Sequence, residues 1–124
     1  ASLAACHARA RTAAETDWVR IAVLYAALVQ LQGSPVAELN RAVAVGMAYG
    51  PAAGLEIVEG LASEPSLRTY YLLPSGRGDL LQKLGRLDEA AREFERAASL
   101  TRNAREQVVL RERSGECARG TRAR

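Results

Sequence analysis

LGRLDEAAREFERAASL, residues 84–100, decides the fold. Ala90, Phe94 and Ala97 follow one another at spacings of four and three, so they share one side of an α-helix. Leu87 and Leu100 extend that stripe at its two ends. Alanines let a neighbouring backbone come close, and Phe94 fills the space which that approach leaves. Asp88 and Glu89 stand in the first turn, where the helix dipole favours negative charge. Asp88 with Arg92, and Glu93 with Arg96, are placed to pair on the wet side, each worth a few tenths of a kcal/mol (~0.2–0.5). Such a helix needs a second helix to lie against, and the surrounding sequence supplies several.

Working outward, punctuation recurs at short intervals and helical patterns fill the gaps. A first helix is expected over residues 1–14. Thr16 or Asp17 caps the next, over 18–32, whose Trp18, Ile21, Leu24, Tyr25, Leu28 and Leu31 surround more than one face and predict burial on two sides. Ser34-Pro35 starts a helix to Tyr49, with serine as cap and proline where no amide hydrogen is needed. Gly50-Pro51 ends that helix and opens another, to about Ala62, and Glu64-Pro65 breaks it. A further helix spans 71–84, with Pro74 in its first turn, and Gly85 closes it. Asn103 caps the last, with Glu106 at capping-box spacing. After Ser114-Gly115 the remainder, GECARGTRAR, offers little to bury, so a domain over 1–114 and a disordered basic tail over 115–124 are expected.

The bulk numbers suit one soluble domain. The chain has 124 residues, 48% apolar and 25% charged, with only 5% aromatic. Residues 1–110 hold as many acidic as basic side chains. The net charge of +3 therefore lies wholly in the last fourteen residues, where Arg111, Arg113, Arg119, Arg122 and Arg124 outnumber Glu112 and Glu116. Tight phosphate binding needs a concentrated basic face, and this distribution argues against it. Cys6 and Cys117 are far apart and His7 is the single histidine, so a zinc site is not expected. His7 also has no partner for acid–base work. Neither a nucleophile–base pair nor a phosphate loop is legible, so no enzyme and no cofactor are expected. No run reaches the ~18 apolar residues of a membrane span, and residues 1–14 lack a signal-peptide core, which points to a cytoplasmic protein. The start at Ala1 instead of Met suggests a processed protein or part of a longer one.

Gly50 and Gly85 sit 35 residues apart, each between two helices of a pair. That is close to the period of about 34 residues in tetratricopeptide repeats. The quoted stretch fits the second helix of such a repeat. The helix before it fits poorly, because of Pro74, Arg77, Gly78 and Leu81 only Gly78 agrees with the repeat pattern. The expected fold is all-α, a right-handed stack of antiparallel helix pairs with about seven helices. An ordinary helix bundle with alanine seams is the alternative.

Three segments carry a resemblance to a known family: TDW (16–18), SPVAELNRAVAVGMAYGPAAGL (34–55) and YYLLPSGRGDLLQKLGRLDEAAREFERAASLTRNAREQVVL (70–110). The chain resembles, over roughly residues 1–114, the C-terminal tetratricopeptide-like extension of a subgroup of extracytoplasmic-function sigma factors of bacterial RNA polymerase. Gly76 and Gly78 depart from the alanines expected there, and Gln107 and Val109 from an arginine and an aromatic. The resemblance implies a non-catalytic regulatory domain in transcription initiation. Its partners would be proteins, namely the sigma N-terminal domains, the polymerase or another protein. Promoter DNA would be bound only by N-terminal parts that this sequence does not contain. A free-standing adaptor that binds peptide segments is the other reading.

Four residues are candidates for partner contact: Asn40, Arg41, Tyr70 and Arg77. Asn40 and Arg41 interrupt an apolar helix and form either a polar patch on the inner, concave face or local hydrogen bonds to the next helix or a loop. One ring of Tyr70-Tyr71 is expected to pack and the other to be open. Asp79 is placed to pair with Arg77 and Lys83. Trp18, Ala90, Phe94 and Ala97 are expected at the seams between helices.

Overall fold

The structure, a computed structural model, describes residues 17–123. The helix expected over 1–14, with Cys6 and His7, lies outside the described residues. Among the described residues there are six α-helices and a short 3-10 turn. Helix α1 (Trp18–Gln32) starts after Asp17, whose carboxylate accepts from the Arg20 amide at 3.0 Å. Helix α2 (Pro35–Tyr49) starts after Ser34, whose hydroxyl oxygen accepts from the Ala37 amide at 3.3 Å. Helix α3 (Pro51–Gly60) follows Gly50, held at φ 108°, where a side chain would be strained. The 3-10 turn (Pro65–Leu67) leads to α4 (Leu72–Lys83). Helix α5 (Leu87–Leu100) is the quoted stretch, and α6 (Ala104–Ala123) closes the chain. Asn103 caps α6 by accepting from the Glu106 amide at 3.1 Å. The return half of that capping box is not made, because the Asn103 amide donates to Thr101 Oγ1 instead.

Each helix packs on the next in the chain, and alternate helices α2 and α4 also touch. Short connections force this order, since they turn successive helices back on one another. The architecture is all-α, a stack of antiparallel helix pairs, as the spacing predicts. One core runs from α2 to α6 and holds Leu39, Val58, Leu67, Leu81, Phe94 and Leu110. A smaller cluster joins Ile21 and Ala22 of α1 to Ala44 of α2, with Trp18, Tyr25 and Val45 partly buried against it. Trp18 is thus at a seam, though its indole Nε1 is buried without a hydrogen-bond partner among the described residues.

The seams follow the small residues. Ala90, Phe94 and Ala97 are fully buried. A Cβ added at Gly78 would stand 2.9 Å from Phe94 Cε1, so this glycine is the space into which the ring fits. The departure from alanine at Gly78 is therefore matched by the Phe94 ring. Between α2 and α3 the approach is closer still. A Cβ at Gly54 would meet the Ala42 carbonyl oxygen at 2.6 Å and Gly46 Cα at 3.0 Å.

One expectation is corrected. Residues 115–124 were expected to be a disordered tail, but helix α6 continues through Ser114-Gly115 to Ala123. Leu110, Ser114 and Cys117, at spacings of four and three, form a buried stripe. The Ser114 hydroxyl donates to the Ala91 carbonyl at 2.9 Å, and Gly120 admits Leu87 Cδ1. A stripe of one leucine and small polar or sulfur side chains is hard to recognise as apolar, yet it suffices when the facing helix also carries alanines. Burial pushes the Cys117 thiol above its ordinary pKa. Of the α1 residues expected to be buried on two sides, Ile21 is buried and Trp18, Leu24, Tyr25 and Leu28 are partly so, while Leu31 is 83% exposed among the described residues.

Candidate interaction site

Helix α2 carries apolar residues on several sides, interrupted by Glu38, Asn40 and Arg41, and its neighbours settle which side stays open. Leu39 and Ala42 enter the main core, while Ala44 joins the cluster against α1. Between these two packed flanks a stripe remains at spacings of four, three and four: Val36, Asn40, Val43 and Met47. Val36, Val43 and Met47 are 39%, 42% and 43% exposed. Asn40 is exposed too, and its side chain makes no hydrogen bond among the described residues. An open row of apolar side chains on a helix packed at both flanks costs free energy, by ~25 cal/mol for each Å² left in water.

Helix α4 runs beside this stripe with Leu72, Gly76, Asp79 and Lys83 on its own open side. Side chains of each helix reach the other. Leu39 Cδ1 lies over Gly76, Leu80 Cδ2 lies over Gly46, and Lys83 Nζ donates to Met47 Sδ at 3.5 Å. A Cβ at Gly76 would make only ordinary contact with Leu39 Cδ1, at 3.8 Å, so nothing in the structure explains this departure from alanine.

Helix α6 adds Arg113. Its Nη2 donates to Asp79 Oδ1 at 2.9 Å and to Gln82 Oε1 at 2.7 Å, and its guanidinium carbon lies 4.3 Å from the centre of the Phe94 ring. Lys83 Nζ takes the other Asp79 oxygen at 3.0 Å. Burial works against the Asp79 charge, but the hydrogen bonds from Arg113 and Lys83 outweigh it and hold the carboxyl below its ordinary pKa. Asp79 therefore pairs with Lys83, as its spacing predicts, and with Arg113 in place of Arg77.

The four candidate contact residues are not brought together. Asn40 lies on the open stripe. Arg41 points elsewhere, its Nε and Nη2 both on Glu38 Oε1 of its own helix at 2.7 and 2.6 Å, and not on the next helix or a loop. Tyr70 is partly buried against the main core and stands edge-on to Tyr71, with ring centres 6.4 Å apart. Arg77 is a tie between helices. Its Nε donates to Glu59 on α3 and its Nη1 to Glu93 on α5 at 2.9 Å. Burial opposes the Arg77 charge, but the hydrogen bond and attraction of Glu59, joined by Glu93, hold its pKa above the ordinary value. Glu93 is itself buried, and its Oε2 accepts no hydrogen bond, with Arg96 Nη1 3.5 Å away.

Val36, Val43, Met47 and Arg113 were missed by sequence reasoning. Nothing in a helix with apolar residues on several sides says which side its neighbours leave bare, and Arg113 lies 34 residues from the Asp79 that it reaches. Among the described residues no cluster of His, Cys, Asp and Glu could hold a metal ion, and no helix is long and apolar enough to cross a membrane.

An uncharacterized protein of Rhizobium meliloti (strain 1021) is 48% identical to this chain over 111 residues, 90% of the chain. The chain spans about a quarter (26%) of that protein's length. No family model matches the chain, and no solved structure does so.

Proposed function

We propose that this chain is a non-catalytic protein-interaction domain, the regulatory extension of an extracytoplasmic-function sigma factor of bacterial RNA polymerase, working in the cytoplasm during transcription initiation. The observation that carries the interaction reading is the open stripe of Val36, Asn40, Val43 and Met47 on a helix packed at both flanks. The sigma-factor assignment is supported by the resemblance at residues 34–55 and 70–110, and the Rhizobium relative is a longer protein, as that reading requires. In it, the extension contacts the sigma domains or the polymerase through the α2–α4 face and so biases promoter use.

The test uses the full-length polypeptide in its own bacterium. Val43→Asp and Met47→Asp change exposed positions and leave the helical circular dichroism unchanged. Promoter-specific transcription should fall several-fold, with loss of co-purification with polymerase or the sigma domains. Undiminished transcription and co-purification in the doubly substituted protein would remove the basis for the proposal.

A further inference from the structure

We infer that the α2–α4 face receives an amphipathic α-helix of about three turns, apolar along the side laid on Val36, Val43 and Met47 and bearing a carboxylate beside Lys83. The inference rests on reading this face as a contact surface, and it names the kind of partner segment.

Length comes first. From Val36 to Met47 the stripe runs about 16 Å at the helical rise of ~1.5 Å per residue, which is three turns of a partner helix. Backbone chemistry then selects the partner's conformation. The middle of a helix offers no unpaired amide or carbonyl, since its own ladder uses them. An extended segment pressed on this stripe would bury its backbone polar groups against valine and methionine, at ~1–3 kcal/mol for each one left unpaired. Asn40 could satisfy one such amide through Oδ1 and one carbonyl through Nδ2, and the other backbone groups along the stripe would stay unpaired. A helix arrives with its backbone already paired, and Asn40 then meets a single polar side chain and sets the register. Met47 suits such a seat because its unbranched thioether adapts to the surface laid on it.

Charge fixes the end. Lys83 and Arg113 share the one carboxylate of Asp79, and the remaining acceptor of Arg113, Gln82 Oε1, is neutral. Two cations with one anion leave a positive excess beside Met47, where Lys83 is 45% exposed. A carboxylate on the partner, at the end that lies over the C-terminal turn of α2, completes the set. A basic residue there would meet Lys83 head on.

Site-specific photo-crosslinking tests this. Benzoylphenylalanine replaces Val43 in the full-length polypeptide expressed in its own bacterium, and mass spectrometry identifies the peptide captured. The expected peptide has apolar residues at three- and four-residue spacing and an Asp or Glu at one end. Lys83→Glu in the same background should lower the capture yield about threefold to tenfold, and Lys83→Arg should leave it near the starting level. Capture of an extended or basic segment, capture of a second copy of this chain, or no capture at all overturns the inference. If the captured helix fits but belongs to neither sigma factor nor polymerase, the inference stands and the sigma-factor reading falls. If sigma factor or polymerase is captured through a segment of different chemistry, the converse holds.

Discussion

The α2–α3 pair and the α4–α6 group meet at seams of small residues, yet they use those residues in opposite ways. In α4–α6 one large ring is enclosed. Phe94 is fully buried, Gly78 makes room for its edge, and Arg113 covers its face. In α2–α3 no ring is present at the crossing, and Gly46 lies directly on Gly54 with the Ala42 carbonyl beside them. The first seam depends on what fills it. The second depends on what is missing from it. A pattern of alanine and glycine at helical spacing therefore predicts that helices approach, but not whether removal or addition of atoms does the damage.

The largest effect should come from emptying the filled seam. Phe94→Ala is expected to cost about 3–5 kcal/mol in denaturant unfolding, the range for deleting a buried phenylalanine. A cost under ~1 kcal/mol would show that the ring is not enclosed between helices. Next, Cys117→Asp should cost about 3 kcal/mol or more, because it places a carboxylate in the buried seam of α6. An unchanged stability there would mean that α6 ends near Ser114, as the sequence alone suggests. Gly54→Ala should cost about 1–3 kcal/mol, since the new methyl meets backbone, which cannot swing aside. Gly60→Ala, on the same helix with open space around it, should instead stabilise by about 0.5–1 kcal/mol. If both alanines behave alike, the α2–α3 crossing is looser than it looks.

The smallest effect concerns pH. The folded-state pKa of Asp79 is depressed, so its contribution to stability is present above the unfolded value of about 3.9 and is lost as pH falls through the folded value. The stability difference between the parent chain and Asp79→Asn should therefore shrink as the pH is lowered below about 4. A difference that does not change with pH would mean that Arg113 and Lys83 do not hold the carboxylate in solution.

Much of the fold was legible because it is written in local chemistry. Asp17, Ser34 and Asn103 cap their helices as single side chains do, and Gly50 and Gly85 take the positive φ that a glycine permits. The α6 extension was not legible, because Ser114, Cys117 and Gly120 become a seam only opposite Leu87 and Ala91. The candidate site was harder. Arg77 looks like a surface cation beside Asp79 in sequence, and it turns out to span to Glu59 and Glu93 on two other helices.

By itself the sequence determined helix positions, the short connections that make neighbours antiparallel, and the stripe of Ala90, Phe94 and Ala97 that must be covered. These rest on caps, breakers and a 3.6-residue period, all of which act within a few residues. Only the tertiary structure decided which apolar side of α2 stays bare, which glycine receives a ring and which a backbone, and which acids hold Arg77. Those outcomes depend on the distance and angle between helices far apart in the chain, and periodicity within one helix carries no record of them.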